Sequence, residues 1–439
     1  MSIQPKLKRF DLTMIVVSLV IGVGIFRTPS VVASNAGSEW IFFAAWIFGG
    51  IVSICGALTF AEIGARLPAA GGYYKIFSYS YHPAYAFMLN WSQVIINAGS
   101  SAGVALIGAE YITPIIFPHA TNPGQIEKLL AEGIILILFI INFAGIKMGA
   151  RTQNFLSVLK IVMITAFCFA IFGKPASENT VLTTVDGDFN FINAFGVALI
   201  SIFFTYGGYQ QTVNFGADVE NANKNIPRAI FTGMGIVIIL YLLLNFTYVH
   251  VIGFETMKTS PLIASTLAEN IFGPIGATII SVVLFTSVLG FLNTSVMSNP
   301  RVYYAMAEDK ILPPVFASVN PKTQVQQFGL TFFIAVMLLS VFLLGDFENI
   351  VNYVLFIDSI SLASAAGAIF ILRKKSKADY KGFKMKGFPV VPLLFMVTLL
   401  FVTYNTINSD RKSSFYGFLI FIGGLPLYFV MQFIFNRKK

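Results

Sequence analysis

The chain has 439 residues, of which 56% are hydrophobic and 11% charged, with 45 Phe and 17 Tyr. A globular protein carries roughly 25% charged residues, so this chain lacks the polar surface a soluble protein needs, and so many apolar rings exclude a disordered one. The net charge of +9 raises nucleic acid as a partner, but the charges fall where a membrane protein puts them, as the spans make plain.

About 20 consecutive apolar residues cross the hydrocarbon core as a helix. Twelve stretches qualify: 12–34, 39–65, 83–117, 127–146, 150–173, 190–215, 228–252, 273–306, 328–345, 349–372, 389–407 and 415–435. The expected class is an all-α polytopic membrane protein. The first span is interrupted near its middle by Val20-Ile21-Gly22-Val23-Gly24-Ile25-Phe26, followed by Arg27-Thr28-Pro29. The second ends with Glu62 and Arg66 one helical turn apart, which predicts an i,i+4 ion pair. The third carries Glu110, and the fifth carries Lys160, about 15 Å beyond Ala150 at 1.5 Å per residue. An ionisable group at that depth is a functional candidate by default. Lys160 is either a fixed cation beside the first break or a group that titrates and couples transport to protons. The sixth span is interrupted at Phe203-Phe204-Thr205-Tyr206-Gly207-Gly208-Tyr209. The seventh holds Tyr241 and the tenth Asp358, and a basic cluster runs from Arg373 to Lys386 before the last two spans.

Twelve spans put both termini on one side. With that side cytoplasmic, 22 of the 29 basic residues fall inside, six fall outside (Lys174 among them), and Lys160 lies within a span. This is the positive-inside pattern. It accounts for the net charge without nucleic acid, and it predicts a plasma-membrane protein with cytoplasmic termini. The inner set includes Lys377, Arg437, Lys438 and Lys439.

The two breaks open two five-span sets of opposite orientation. Broken helices at matching positions of inverted repeats point to a transporter's substrate site, although glycines such as Gly22 and Gly24 also serve close helix packing. The expected organisation is a first repeat over 1–175, a second over 176–375, and spans eleven and twelve with a basic tail over 376–439. At each break, N–H groups and the positive end of a helix suit a carboxylate, here from Gly22 to Phe26. Exposed carbonyls of Val20, Ile21, Phe204 and Thr205 suit an ammonium group. A site with both is one for a zwitterion, so an α-amino acid is the expected ligand. The substrate-binding candidates are Val20, Ile21, Gly22, Val23, Gly24, Phe204, Thr205, Tyr206 and Gly207. Arg27 either guides a carboxylate or forms an outward structural pair.

Several motifs resemble the amino acid–polyamine–organocation superfamily, and within it the L-type amino acid transporters and their bacterial relatives. They are Gly22-Val23-Gly24-Ile25-Phe26; Ala61-Glu62-Ile63-Gly64-Ala65-Arg66-Leu67-Pro68 with Gly71-Gly72-Tyr73; Asn223-Lys224-Asn225-Ile226-Pro227-Arg228; and Tyr304-Ala305-Met306-Ala307 with Leu312-Pro313 and Val319-Asn320-Pro321-Lys322-Thr323. The resemblance implies a LeuT-type fold of 5+5 inverted repeats plus two C-terminal helices, with alternating access around a midplane site. It implies an aromatic gate at Phe204. It also implies a lysine at 160 in place of the sodium ion of distant relatives, with Tyr241 near it. Val23 departs from the family's serine, Pro300 from its usual serine, and Gly216-Ala217-Asp218 from a more acidic run.

An intramembrane enzyme would need a catalytic constellation, and no HExxH or Walker A loop is present. A channel fits a single chain with two broken helices poorly. The expected function is therefore sodium-independent secondary transport of small or medium neutral L-amino acids, by exchange or proton symport, with cationic amino acids or polyamines as the alternative. Neither break has a carboxylate next to it in sequence. No cofactor or metal is expected. Cys55 and Cys168 lie within spans, so no disulfide-linked partner is expected either.

Overall fold

A computed structural model describes residues 3–172, 191–260, 262–343, 347–375, 380–409 and 411–436. Lys174, Lys377, Arg437, Lys438 and Lys439 lie outside the described residues. The described chain is helical, with no strand. The first expected span forms as two helices, α1 (Arg9–Val20) and α2 (Thr28–Ala36), joined by an unwound stretch and a single 3-10 turn, Gly24–Phe26. Pro29, in the first turn of α2, costs no hydrogen bond there, because those N–H groups have no intrahelical partner. Then come α3 (Glu39–Arg66), α4 (Gly72–Ser80), α5 (Pro83–Ile116), α6 (Pro123–Phe143) and α7 (Ile146–Cys168). The sixth expected span forms as α8 (Phe191–Tyr206) and a 3-10 segment, Tyr209–Asn214. The remainder is α9 (Ala222–Ile252), α10 (Phe254–Thr259), α11 (Ile263–Phe272), α12 (Gly276–Glu308), α13 (Gln327–Leu343), α14 (Phe347–Lys375), α15 (Val390–Ser409) and α16 (Arg411–Asn436).

Among the described residues, seven helices are long and apolar enough to cross a membrane: Glu39–Arg66, Pro83–Ile116, Ile146–Phe172, Ala222–Ile252, Ile263–Glu308, Val390–Asn408 and Ser414–Phe435. The two broken elements are not among them, because breaking shortens each helical piece: α1 has 12 residues, α2 nine and α8 16. The apolar Gln327–Phe342 is also short of a full crossing. The chain is a multi-pass membrane protein.

The broken elements occupy the middle of the bundle. α1 packs against α9, α7 and α12, while α2 packs against α8 and α10. All nine residues from Leu12 to Val20 are buried. No amphipathic face is needed there, because a helix that is apolar all round belongs inside the bundle.

One end of the bundle is basic and tightly tied. The backbone N–H groups of Lys6 and Leu7 both donate to the Asp218 carbonyl at 2.8 Å, and Glu220 N–H returns a bond to Leu7 at 2.9 Å. Arg301, on α12, donates to the Asp218 carboxylate from Nε at 2.7 Å and from Nη2 at 3.1 Å, and to the Met297 carbonyl from Nη1. Both partners of that pair are buried, and the guanidinium also lies 4.5 Å over the Phe215 ring. At the same end Glu62 accepts from Arg66 at 2.7 Å, as the spacing predicts, and also from Arg373 and the Met385 N–H.

Candidate functional site

The helix of α1 ends at Val20, and the backbone turns extended at Ile21, with φ −75° and ψ 92°. The 3-10 turn that follows leaves N–H groups at its start, Val23 and Gly24 among them, without partners inside the turn. The second break is made by a glycine pair. Gly208 has φ +112°, and a Cβ there would stand 2.3 Å from the Leu19 carbonyl oxygen. Glycine thus lets the two broken elements touch backbone to backbone. Gly208 N–H donates to Gln210 Oε1 at 2.9 Å.

Between the breaks lies a cavity of about 170 Å³. At ~30 Å³ per water that is the space of five or six waters, the scale of a small amino acid. Val20, Gly22, Val23, Gly24, Phe204, Thr205, Tyr206 and Gly207 line it. A Cβ built on Gly22 would meet nothing within 4 Å. A side chain at 22 would therefore project into the cavity. Phe204, which lines the cavity, is 44% exposed. The Tyr206 ring packs between Trp46 and Tyr241, with centroids 5.7 and 5.3 Å away. Thr205 Oγ1 bonds Thr28 Oγ1 at 2.8 Å, joining the sixth element to the start of α2.

Ile21 does not border the cavity. It is fully buried, and its carbonyl accepts a 2.7 Å bond from Lys160 Nζ. Lys160 comes from α7 and is itself fully buried. No carboxylate pairs with it among the described residues. Its stem lies against Gly290 of α12, where a Cβ would stand 2.7 Å from Lys160 Cε and 3.0 Å from Ser18 Oγ. Ser18 in turn bonds Ser157 at 2.8 Å. Tyr241 Oη lies 2.9 Å from the Val20 carbonyl and 3.4 Å from that of Thr205, so one hydroxyl spans both breaks. Its single proton goes to the nearer oxygen. The Ile21 carbonyl, engaged by Lys160, keeps one lone pair, whereas the Val20 carbonyl accepts from both Tyr241 and the Gly22 N–H, the latter at 2.9 Å. Arg27 stands apart from the cavity, exposed at the start of α2 and within electrostatic reach of Glu110.

The other wall is polar and was not visible from the breaks. Asn97, Ser100, Gln210, Gln211, Ser287 and Asp358 also line the cavity. Asp358 accepts a 2.5 Å bond from Gln93 Nε2. A carboxylate therefore does border the site, contrary to the reading from sequence neighbours alone, because α14 brings it from far along the chain. Below it, Asn97 bonds Asn299 at 2.9 Å and Asn214 bonds Ser298 at 3.1 Å, leading towards the Arg301–Asp218 pair. No group of three or more His, Cys, Asp or Glu that could hold a metal occurs among the described residues. Cys55 and Cys168 are free and buried.

Two interrupted elements facing a small cavity inside an apolar helical bundle define a membrane transporter rather than an enzyme. The chain belongs to the amino acid permease family, whose profile matches residues 7–425. It is 31% identical over 428 residues to the serine/threonine exchanger SteT of Bacillus subtilis, covering 96% of this chain and 95% of that protein. It is 28% identical to the human cystine/glutamate transporter over 97% of this chain and 84% of that one. It is 27% identical to the mouse large neutral amino acids transporter small subunit 2, over 95% and 79%. The protein is an amino acid transporter.

Proposed function

We propose that the chain is a sodium-independent exchanger of small neutral L-amino acids, working by alternating access around the cavity between the two breaks. The observation that carries this is the cavity itself, bordered by the unwound backbone of both elements. In this reading the substrate carboxylate meets the N–H groups near Val23 and Gly24. Its ammonium group meets the carbonyls at the end of α8. The spans number twelve, in two inverted repeats over 1–175 and 176–375 followed by 376–439, and both termini and the basic end face the cytoplasm of the plasma membrane.

Lys160 takes the place of a sodium ion. Its ammonium group holds the Ile21 carbonyl at 2.7 Å, a contact that would otherwise need a cation from solution. A cation supplied by the chain argues against sodium symport, and exchange is supported by the likeness to SteT, an exchanger by its name. Tyr241 keeps the two breaks in register, Phe204 covers the ligand, and Arg27 attracts substrate at the outer mouth. Asp358 and its amide neighbours favour a side chain with a hydrogen-bond donor, such as a hydroxyl, since a site built to hydrogen-bond a group rejects analogues without it. The same carboxylate supports cationic amino acids as the second reading.

The test is uptake of labelled serine, leucine and lysine into proteoliposomes, with and without unlabelled amino acid inside and with and without sodium or a pH gradient. Serine uptake that requires internal amino acid and ignores both ions is expected. Uptake into empty vesicles driven by protons overturns exchange. Lysine preferred over serine replaces the neutral reading with the cationic one.

A further inference from the structure

A second, larger cavity lies at the basic end, away from the substrate site. It is a groove of about 1110 Å³ between the first turns of α9 and the segment from Tyr380 to Lys386 that precedes α15. Five cations line it: Lys224, Arg228, Lys381, Lys384 and Lys386. All are exposed, and none forms an ion pair among the described residues. No Asp or Glu lines the groove. This charge is not needed to neutralise anything in the protein, and at a membrane surface each such cation adds roughly 1 kcal/mol of attraction for anionic lipid.

The groove is also graded in polarity. Lys224, Arg228 and Phe231 sit at i, i+4 and i+7 on α9, so they form one stripe along its axis. Phe231 lies about 10 Å deeper along that axis than Lys224, and it is 58% exposed. Leu58, eight residues inside the end of α3, lies about 12 Å from Arg66 along its own helix and forms part of the same wall. Phe383 completes the apolar side. A soluble anion would need the cations alone. An apolar channel leading from them towards the middle of the bilayer fits a molecule with an anionic head and a hydrocarbon chain.

We propose that this groove binds an anionic phospholipid, with the phosphate held by the five cations and an acyl chain lying over Phe231, Leu58 and Phe383. The lipid bridges the start of α9, which follows the sixth-element break, to the segment before α15.

The full-length protein in uncharged detergent is titrated with phosphatidylglycerol or phosphatidylcholine of matched chains, and retained lipid is read by native mass spectrometry. Phosphatidylglycerol should be retained in strong preference to phosphatidylcholine. The double variant Lys381→Gln, Lys384→Gln should weaken that retention by roughly tenfold or more, leaving phosphatidylcholine unchanged. Equal retention of both lipids overturns the proposal, as does a preference that the double variant keeps. Displacement by free glycerol 3-phosphate overturns it too, since it would mark a phosphate site without a chain. If the double variant does not fold, wild-type protein is photolabelled with phosphatidylglycerol carrying a diazirine in its acyl chain. Label at Phe231, Leu58 or Phe383 is expected, and label confined to other surfaces overturns the assignment.

Discussion

Gly22 and Lys160 are 138 positions apart in sequence, yet both act on the same few atoms of the first break. Gly22 faces open space in the cavity, so a methyl there clashes with nothing in the fold and, on the proposed binding role, acts on the ligand. Gly22→Ala should leave thermal stability within about 0.5 kcal/mol of wild type, as a substitution without a clash does, while raising the KM for uptake. Gly22→Leu should abolish uptake in a protein that still elutes as a single species from size exclusion. Lys160→Ala removes the donor to the Ile21 carbonyl, and a buried acceptor left without its partner costs about 1–3 kcal/mol. Proteoliposome uptake should fall at least tenfold, roughly 1.4 kcal/mol, in a variant that remains folded in detergent. Wild-type uptake by Lys160→Ala would remove the residue from the transport cycle. The lysine was legible because a charge at mid-membrane is conspicuous in an apolar run. Asp358 was legible as a charge but not as a cavity wall, since only the packing of α14 brings it beside the breaks.

At the scale of the element, glycine pairs within otherwise uninterrupted apolar spans marked both breaks, and the structure places a break at each. Gly208 shows why the residue type is needed: its φ of +112° and its 2.3 Å Cβ distance from the Leu19 carbonyl leave no room for a side chain. Gly208→Ala should therefore destabilise the protein, with strain of order 1–3 kcal/mol from backbone conformation alone, and lower uptake more than Gly22→Ala does. Fluorescence-detected size exclusion after heating reads the first effect and proteoliposome uptake the second. A Gly208→Ala protein as stable and active as wild type would mean that the two elements do not meet at this point. The short helices α4, α10 and α11 were not legible as separate elements. α4 and α10 lie in connections between spans, where no full apolar run exists, and α11 opens the apolar stretch Ile263–Glu308, so hydropathy does not separate it from α12. Long spans such as α5 and α12 were legible to within a few residues, because 34 and 33 helical residues leave little ambiguity.

Across the whole molecule, closure at the basic end rests on contacts between distant segments. Arg301 and Asp218 are 83 residues apart and meet as a buried, two-bonded pair. Breaking such a pair from one side leaves a buried charge and costs about 3–5 kcal/mol. Arg301→Gln and Asp218→Asn should each lower the unfolding temperature in detergent strongly. The double variant should lose less than the sum of the two, since neither charge is then left alone. Additive losses would show that the pair does not act as a unit. The excess of basic residues at this end was legible from composition, but their division into paired cations and the unpaired set around the groove was not. Pairing depends on which carboxylates fold beside which cations, and Glu62 with Arg373, 311 residues away, has no local signal.

The contact between Lys160 and Gly290 has a genetic consequence. The two side-chain volumes are complementary: the lysine stem fills the space that any Cβ at 290 would occupy. Shortening residue 160 vacates that space, and only then is a larger residue at 290 accommodated. Gly290→Ala alone should be poorly tolerated, whereas in a Lys160→Ala background it should be accepted and restore packing. Selection for better-folded descendants of Lys160→Ala should therefore return changes at position 290 that do harm in the parent. Such second-site changes would recover protein yield without recovering uptake, separating the lysine's volume from its charge by inheritance.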